Sequence, residues 1–301
     1  MGLAAEHQGD ARAAQGLPVS LHGGGLGLRR APPALRTALR GLLLLAAGAT
    51  GAAGQAPAGK SDAPAYRASQ LECSRWRESV RSAIETATGS VVDRAHSTRD
   101  GWWTLRARDS AGGVAVEAWY DSLAVTRRSA AGELVPDTDG LLGGRYRGLL
   151  SPSGDFTSSA RPFVPDEVAD VADLSAALDD FFQPLPSMPL APGHAWRGAD
   201  LVLRRLPDSV GRSRPLARFT VASRRQVRRV VPRGDTLPVA VRQLVVEQGQ
   251  FAWDRDDGLV RRTRDITVET TVPAGGRVRQ AVRSRLVQHV ELVRLPASTC
   301  P

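Results

Sequence analysis

The sequence predicts an α+β fold, in which a large curved antiparallel β-sheet forms a half-barrel and helices pack on its concave face. Two observations lead to this prediction. After Trp196, apolar and polar residues alternate over long stretches, as in antiparallel strands with one packed and one solvent-exposed face. Before that residue, two stretches repeat apolar residues at intervals of three or four, as amphipathic helices do.

The first predicted helix covers residues 68–88, where Trp76, Val80 and Ile84 recur on one side. The second covers residues 165–182 and begins with two acidic residues, which favour a helix N-terminus. Its apolar stripe consists of Val168, Val171, Leu174, Leu178, Phe181 and Phe182. Both helices are expected to cover the sheet.

Strands are predicted on both sides of the second helix. Residues 101–108 and 113–125 alternate around "DSAGG", which is typical of a hairpin turn. Further strands are predicted at 199–206, 214–231, 237–253, 258–272 and 276–295. In the last strand, one face carries Val278, Val282, Leu286, Val290 and Leu292, and the other carries Arg277, Arg279, Arg283, Arg285 and His289.

The N-terminal region is typical of an export signal. The uncharged residues 41–59 follow Arg29, Arg30, Arg36 and Arg40, and their apolar centre, "LLLLAA", is too short to span a bilayer. Small residues follow, so cleavage is expected near residues 50–56; an uncleaved anchor and a soluble helix are the alternatives. We therefore expect residues 1–56 to be leader and signal peptide, 57–67 a flexible tether, and 68–301 a single domain. The mature protein is expected in the periplasm or outside the cell.

Charge is distributed unevenly along the chain. Residues 57–200 carry 15 basic and 20 acidic side chains, whereas residues 201–301 carry 20 and 9. A basic half attracts anionic polymers or lipid surfaces, or it forms a solvated face of the same fold. Nucleic-acid modules interleave basic residues with stacking aromatic residues, and between Arg204 and Arg233 the only aromatic residue is Phe219. No nucleic-acid partner is expected.

No sequence motif indicates catalysis. The motifs of zinc proteases, P-loops and nucleophile elbows are absent, so we expect a non-enzymatic protein with no catalytic, cofactor-binding or metal-binding residues and no cofactor. The runs "DTDG" and "DRDDG" are interpreted as turns, with calcium loops as the alternative. The two cysteines, Cys73 and Cys300, are predicted to form one disulfide, which would stabilise the fold by about 4–5 kcal/mol. Two free thiols and an intermolecular link are the alternatives.

Three stretches carry a resemblance: "GGRYRGLLSPSGDF", "FFQPLPSMPLAPGHAW" and "GQFAWDRDDGLVRRTRDITVETTV". They resemble an uncharacterised class of exported bacterial proteins that is similar in build to periplasmic lipoprotein carriers of the LolA and LolB type. The resemblance implies a curved sheet that wraps a helix around an apolar cavity, and hence an exported protein that binds a lipid or lipoprotein there.

Two other functions stay open at this point. One is an envelope structural or interaction protein whose Arg-rich sheet face docks on an anionic polymer or membrane. The other is a hydrolase whose site is assembled from loops. The sequence leaves the oligomeric state open.

Overall fold

The computed structural model describes residues 63–210, 214–233, 236–274 and 279–296. Within these ranges, twelve strands form one antiparallel sheet. The strands are β1 (Ser74–Thr88), β2 (Val91–Ser110), β3 (Gly113–Ser129), β4 (Gly132–Leu134), β5 (Tyr146–Leu150), β6 (Phe156–Ala160), β7 (Ala195–Arg197), β8 (Leu201–Val210), β9 (Pro215–Arg233), β10 (Thr236–Asp254), β11 (Gly258–Val272) and β12 (Val282–Arg294). The helices are α1 (Ala68–Leu71), α2 (Asp166–Ala169) and a 3₁₀ turn at Asp139–Leu141.

The strand order is β6-β5-β3-β2-β1-β12-β11-β10-β9-β8-β7, and β4 pairs with β3 outside this path. The first and last strands are neighbours in the middle of the sheet, where they pair from Trp76–Arg294 to Thr88–Val282. The sheet is open, and its two edges are β6 and β7. These edge strands follow one another in the chain, so the segment that joins them has to cross the whole sheet.

The predicted α+β class is wrong, because neither predicted helix forms a layer. The only helix within residues 68–88 is the short α1, which a turn at residues 72–73 connects to β1. The spacing of four between Trp76, Val80 and Ile84 fits one helical turn, but it also fits two periods of a strand. The β-branched Val80 and Ile84 pack well on a pleated surface, and the strand has both neighbours with which to pair.

The second predicted helix is also mostly irregular. Only α2 is helical, and successive turns follow it up to Phe181. The Asp173 carboxylate accepts hydrogen bonds from the backbone N–H and the hydroxyl of Ser175, and such a local turn competes with helix formation. All six residues of the predicted stripe are nevertheless buried. The spacing identified the packed side chains but not the backbone conformation.

The predicted strands and turns are largely confirmed. The hairpin between β2 and β3 turns at Gly112 with φ 89°, and the hairpin between β10 and β11 turns at "DRDDG". There the Asp254 carboxylate accepts the backbone N–H groups of Asp256 and Asp257, which is turn chemistry. In β12, Val290 and Leu292 are buried, Val282 and Leu286 are half-buried, and Arg283, Arg285 and His289 are exposed. Arg277 and Val278 lie outside the described residues.

The core lies on one face of the sheet, which we call the inner face. Residues 161–194, the crossover segment, join β6 to β7 and pack most of their apolar side chains against this face. The Phe181 ring lies 5.3 Å from the ring of Trp76 and 5.9 Å from that of Trp103, measured between centroids. Tyr66, near the end of the predicted tether, is buried and exchanges hydrogen bonds with the backbone of Gln183. Irregular chain, and not helices, therefore covers the sheet.

Removing the Phe181 ring should test this packing. Phe181→Ala leaves a cavity between the crossover segment and two buried tryptophans, so we expect the free energy of unfolding to fall by about 3–5 kcal/mol in urea titrations. Phe163→Ala is the matched control, because Phe163 is in the same segment but 82 % exposed, and it should change stability by less than about 0.5 kcal/mol. Equal losses in the two variants would contradict the assigned packing.

Candidate functional site

A buried carboxylate lies at the centre of the inner face. Glu78, on β1, accepts hydrogen bonds from Arg99 (2.8 Å), Trp103 Nε1 (3.1 Å) and the Tyr120 hydroxyl (2.9 Å). Burial acts to lower the pKa of Arg99, but the charge of Glu78 outweighs it and holds the pKa above its ordinary value. Glu78 has three donors for its charge, so this cluster is a compensated structural feature.

The hydroxyls of all three tyrosines of the chain are buried in or near this core. Tyr66 and Tyr146 bond to backbone atoms of the crossover segment, and Tyr120 bonds to Glu78. Burial raises the pKa of each phenol well above its ordinary value, because the phenolate would lose its hydration. Each tyrosine is therefore held in its neutral form.

A second cluster on the inner face has more positive than negative charge. Arg264 makes a two-pronged ion pair with Glu247, at 2.7 and 3.0 Å, and Arg262 and Arg264 both donate to the Asp180 carbonyl. Arg225, on the neighbouring strand β9, faces the same side. The Nε atoms of Arg225 and Arg262 are buried and have no hydrogen-bond partner among the described residues. Three guanidinium groups thus surround the Glu247 carboxylate, and the Asp180 carboxylate also acts on Arg262 and Arg264.

The pKa values in this cluster follow from that imbalance. Burial acts to raise the pKa of Glu247, but the charges of Arg264, Arg262 and Arg225 outweigh it, so the pKa is below its ordinary value. Burial, reinforced by the charge of Arg264, lowers the pKa of Arg262 to about 10. Arg262 is only 3 % exposed, and such a charge is costly to bury unless it is neutralised by a partner. The cluster has the electrostatics of an anion site.

An apolar row adjoins this cluster. Register pairs place one inner-face residue from each of five consecutive strands side by side. In order across the sheet these are Ala95, Ile84, Leu286, Val268 and Val245. Arg225 is the register partner of Val245, so it ends the row. At about 4.8 Å between strands, the row is about 19 Å long.

The crossover segment stops short of this row. Within the described part of the chain, its hydrogen bonds to the sheet reach Arg127, Arg262 and Arg264, which lie nearer the core. Ala95 and Val245 at the ends of the row are buried, and the three residues between them are half-buried. The combination of an apolar row and a guanidinium end suits a molecule with an apolar body and one anionic group.

Sequence reasoning missed the inner-face arginines, because it interpreted the basic C-terminal half as an outward-facing surface. The missed residues are Arg225, Arg262 and Arg264. A signal was present: in β11, Arg262 and Arg264 share even numbering with Ile266 and Val268, so period-two alternation places all four on one face. The exposed Arg283 and Arg285 of β12 are at the opposite face, as predicted.

The remaining predicted residues lie apart from this site. Among the described residues, no three His, Cys, Asp or Glu side chains are placed to hold a metal ion. Cys73 follows α1, and Cys300 lies outside the described residues. Beyond β12, the Leu295 N–H donates to the Arg75 carbonyl at 2.8 Å, which extends the β1–β12 pairing towards Cys73. Five further residues lead to Cys300, and an extended chain of that length reaches at most about 18 Å. The disulfide stays a prediction.

No protein-family model and no curated protein matches the chain. Of the helices in the described ranges, none has the length and apolar character needed to cross a bilayer.

The disulfide can be tested directly. Peptide mapping without reductant should recover the Cys73 and Cys300 peptides as one linked species, and reduction should lower the free energy of unfolding by up to about 4–5 kcal/mol. As the control, Cys300→Ser and the double serine variant should be equally stable with or without reductant. Alkylation of both thiols in the native exported protein would disprove the link.

The buried tyrosines predict a loss of stability at alkaline pH. Above about pH 10 the unfolded chain loses phenolic protons that the folded chain keeps, so the free energy of unfolding falls as pH rises. The slope should approach about 1.4 kcal/mol per pH unit for each tyrosine, or about 4 kcal/mol for all three. Urea titrations at several pH values should measure it, and Tyr146→Phe should reduce it by about a third. Tyrosinate absorbance in a still-folded protein would contradict the assignment.

Proposed function

We propose that this is an exported, non-enzymatic binding protein that holds an apolar ligand with an anionic group on the inner face of its sheet. The observation that carries the proposal is the apolar row that ends at Arg225, beside a cluster in which three guanidinium groups share the carboxylate of Glu247. The export part rests on the N-terminal signal pattern.

Charge supports an anionic group at the end of the row. Arg264 is satisfied by Glu247, whereas the buried Nε atoms of Arg225 and Arg262 have no partner in the described ranges. A carboxylate or phosphate near Arg225 would supply both an acceptor and the missing negative charge. This pairing fixes the direction of the ligand, with its anionic end at β9 and its apolar body running towards β2.

The shape of the apolar row favours a ligand whose apolar part is unbranched. Its residues come from adjacent strands, so the row runs across the sheet as a strip about one side chain wide. Its flanks are largely polar, with Ser82 and Gln288 on one side and Thr86 and Ser284 on the other. A strip with polar edges favours a single acyl chain over a broad ring system.

This proposal differs from an enclosed lipid cavity. The space between sheet and crossover segment is filled by rings, among them Trp76, Trp103 and Phe181. The ligand site is therefore placed beyond the crossover segment, on the part of the inner face that the segment does not reach. A shallow site of this kind suits a protein that takes up and hands over its ligand.

The hydrolase alternative gains no support from the geometry. His289 Nδ1 lies 2.7 Å from an oxygen of Asp265, but no hydroxyl or thiol within the described ranges is hydrogen-bonded to its ring. A histidine with an acid on one side and no nucleophile on the other lacks the order of a catalytic triad.

Titration with palmitate and hexadecanol should test the proposal. Palmitate should bind saturably, and Leu286→Asp should weaken it at least about tenfold, because a carboxylate would replace an apolar side chain in the row. Val287→Asp is the matched control, since Val287 is the next residue, is 41 % exposed and faces the opposite side. Equal effects of the two substitutions would contradict the assigned face.

The anionic end has its own test. Arg225→Gln should weaken palmitate about tenfold and leave hexadecanol unchanged, whereas Arg224→Gln, at an exposed position on the other face, should alter neither. Native mass spectrometry of protein from its own envelope fraction should also find a co-purifying acyl lipid. Absence of saturable palmitate binding would overturn the proposed function.

A further inference from the structure

The outer face carries a groove of about 400 Å³ that is unrelated to the inner-face site. It lies where β3, β2, β1 and β12 run side by side. Its shape follows from side-chain length. Ser79, Ser122 and Ala124 form a low floor, and the longer Trp102, Arg77 and Arg81 rise around it. Volumes from about 300 to 1,000 Å³ are typical of small-molecule sites.

Trp102 is the main apolar wall of the groove and is held in place. Its side chain is 45 % exposed, and the Arg75 guanidinium lies 5.7 Å from the ring centroid. Arg75 is in turn paired with Asp121 at 3.4 Å, and Asp121 also accepts from Thr104 and from Trp119 Nε1. An exposed aromatic ring fixed by a polar network on its own sheet is prepared for stacking.

The charged groups of the groove are largely uncommitted. Arg77, Arg81 and Asp100 have no ion-pair or side-chain hydrogen-bond partner among the described residues. In contrast, Glu291 is paired with Arg261 at 2.6 Å, and His289 with Asp265 at 2.7 Å. Among the described residues, two unpaired guanidinium groups and one unpaired carboxylate therefore face the same groove.

We propose that this groove binds an acidic saccharide, with one sugar ring stacked on Trp102. A pyranose ring has an apolar C–H face that packs against an indole and a rim of hydroxyls that bond to carboxylates and serines. Asp100 and the floor serines supply acceptors for those hydroxyls, and Arg77 and Arg81 supply paired donors for a uronate carboxylate. The indole thus matches the apolar face of the sugar ring, the serines and Asp100 match its hydroxyls, and the guanidinium groups match its carboxylate.

The carboxylates of the groove argue against nucleic acid as the ligand. Single-stranded nucleic acids also use stacking and basic residues, but their backbone is negative at every nucleotide. Asp100 lies beside Trp102 on β2, and Glu291 lines the groove from β12. Glu291 is paired with Arg261, but the unpaired Asp100 would repel a phosphate chain that crossed the groove, whereas a saccharide uses such a carboxylate as a hydrogen-bond acceptor.

Isothermal titration of the exported protein with a short galacturonate oligosaccharide tests the proposal. We expect saturable binding that Trp102→Ala weakens about tenfold, with Phe163→Ala, an exposed phenylalanine outside the groove, as the unchanged control. Arg77→Gln and Arg81→Gln should each weaken it about tenfold, and Arg108→Gln, an exposed arginine on β2 outside the groove, should leave it unchanged.

Two further ligands separate the alternatives. A neutral galactan oligosaccharide of the same length should bind at least about tenfold more weakly, because it lacks the uronate groups. A single-stranded oligothymidylate should not compete. Equal binding of the neutral sugar, tighter binding of the oligothymidylate, or an undiminished affinity in Trp102→Ala would each overturn the proposal. Palmitate should not displace the galacturonate, because the two sites are on opposite faces.

Discussion

The fold depends on the crossing of residues 161–194 over the inner face. β6 and β7 are consecutive strands of the chain but opposite edges of the sheet, because β1 and β12 pair in its middle. The connection between them must pass across the strands, and it does so with its apolar side chains turned towards the sheet. A single-layer sheet cannot bury a core by itself, so this crossing supplies the second layer that a stable domain needs.

The same crossing explains why a ligand site remains on the inner face. Strands β9 and β10 are each 19 residues long, and the crossover segment covers only part of that length. Beyond the segment, apolar and polar residues still alternate along the strands, so half-buried apolar residues and Arg225 remain on the inner face without a covering layer. Arg264 is at the edge of the covering segment, where it donates to the Asp180 carbonyl, and Arg225 lies beyond it. The residues of the proposed site are those of the inner face that the crossover segment does not cover.

Alternation predicted the long strands after Trp196 well, because a period of two recurs along most of β9, β10 and β11. It failed at residues 68–88 because Trp76, Val80 and Ile84 are four apart, a spacing that strands and helices share. Alternation also failed to place the inner arginines. It shows which residues share a face of the sheet, but a distant segment decides which of the two faces is covered. That choice is made by residues 161–194, about 80 positions away from Arg262 in the chain. The local sequence of β11 therefore cannot predict which face is covered.

The two faces are coupled through one stretch of β2. Alternation along β2 sends the Trp102 ring outward to the groove and the Trp103 ring inward to Glu78. Gly101 precedes them, and a side chain there would meet the Tyr120 ring at 2.7 Å, so only glycine lets that ring approach and place its hydroxyl on Glu78. The buried carboxylate thus fixes the backbone from which Trp102 projects. The rigidity of the outer groove originates in the inner core.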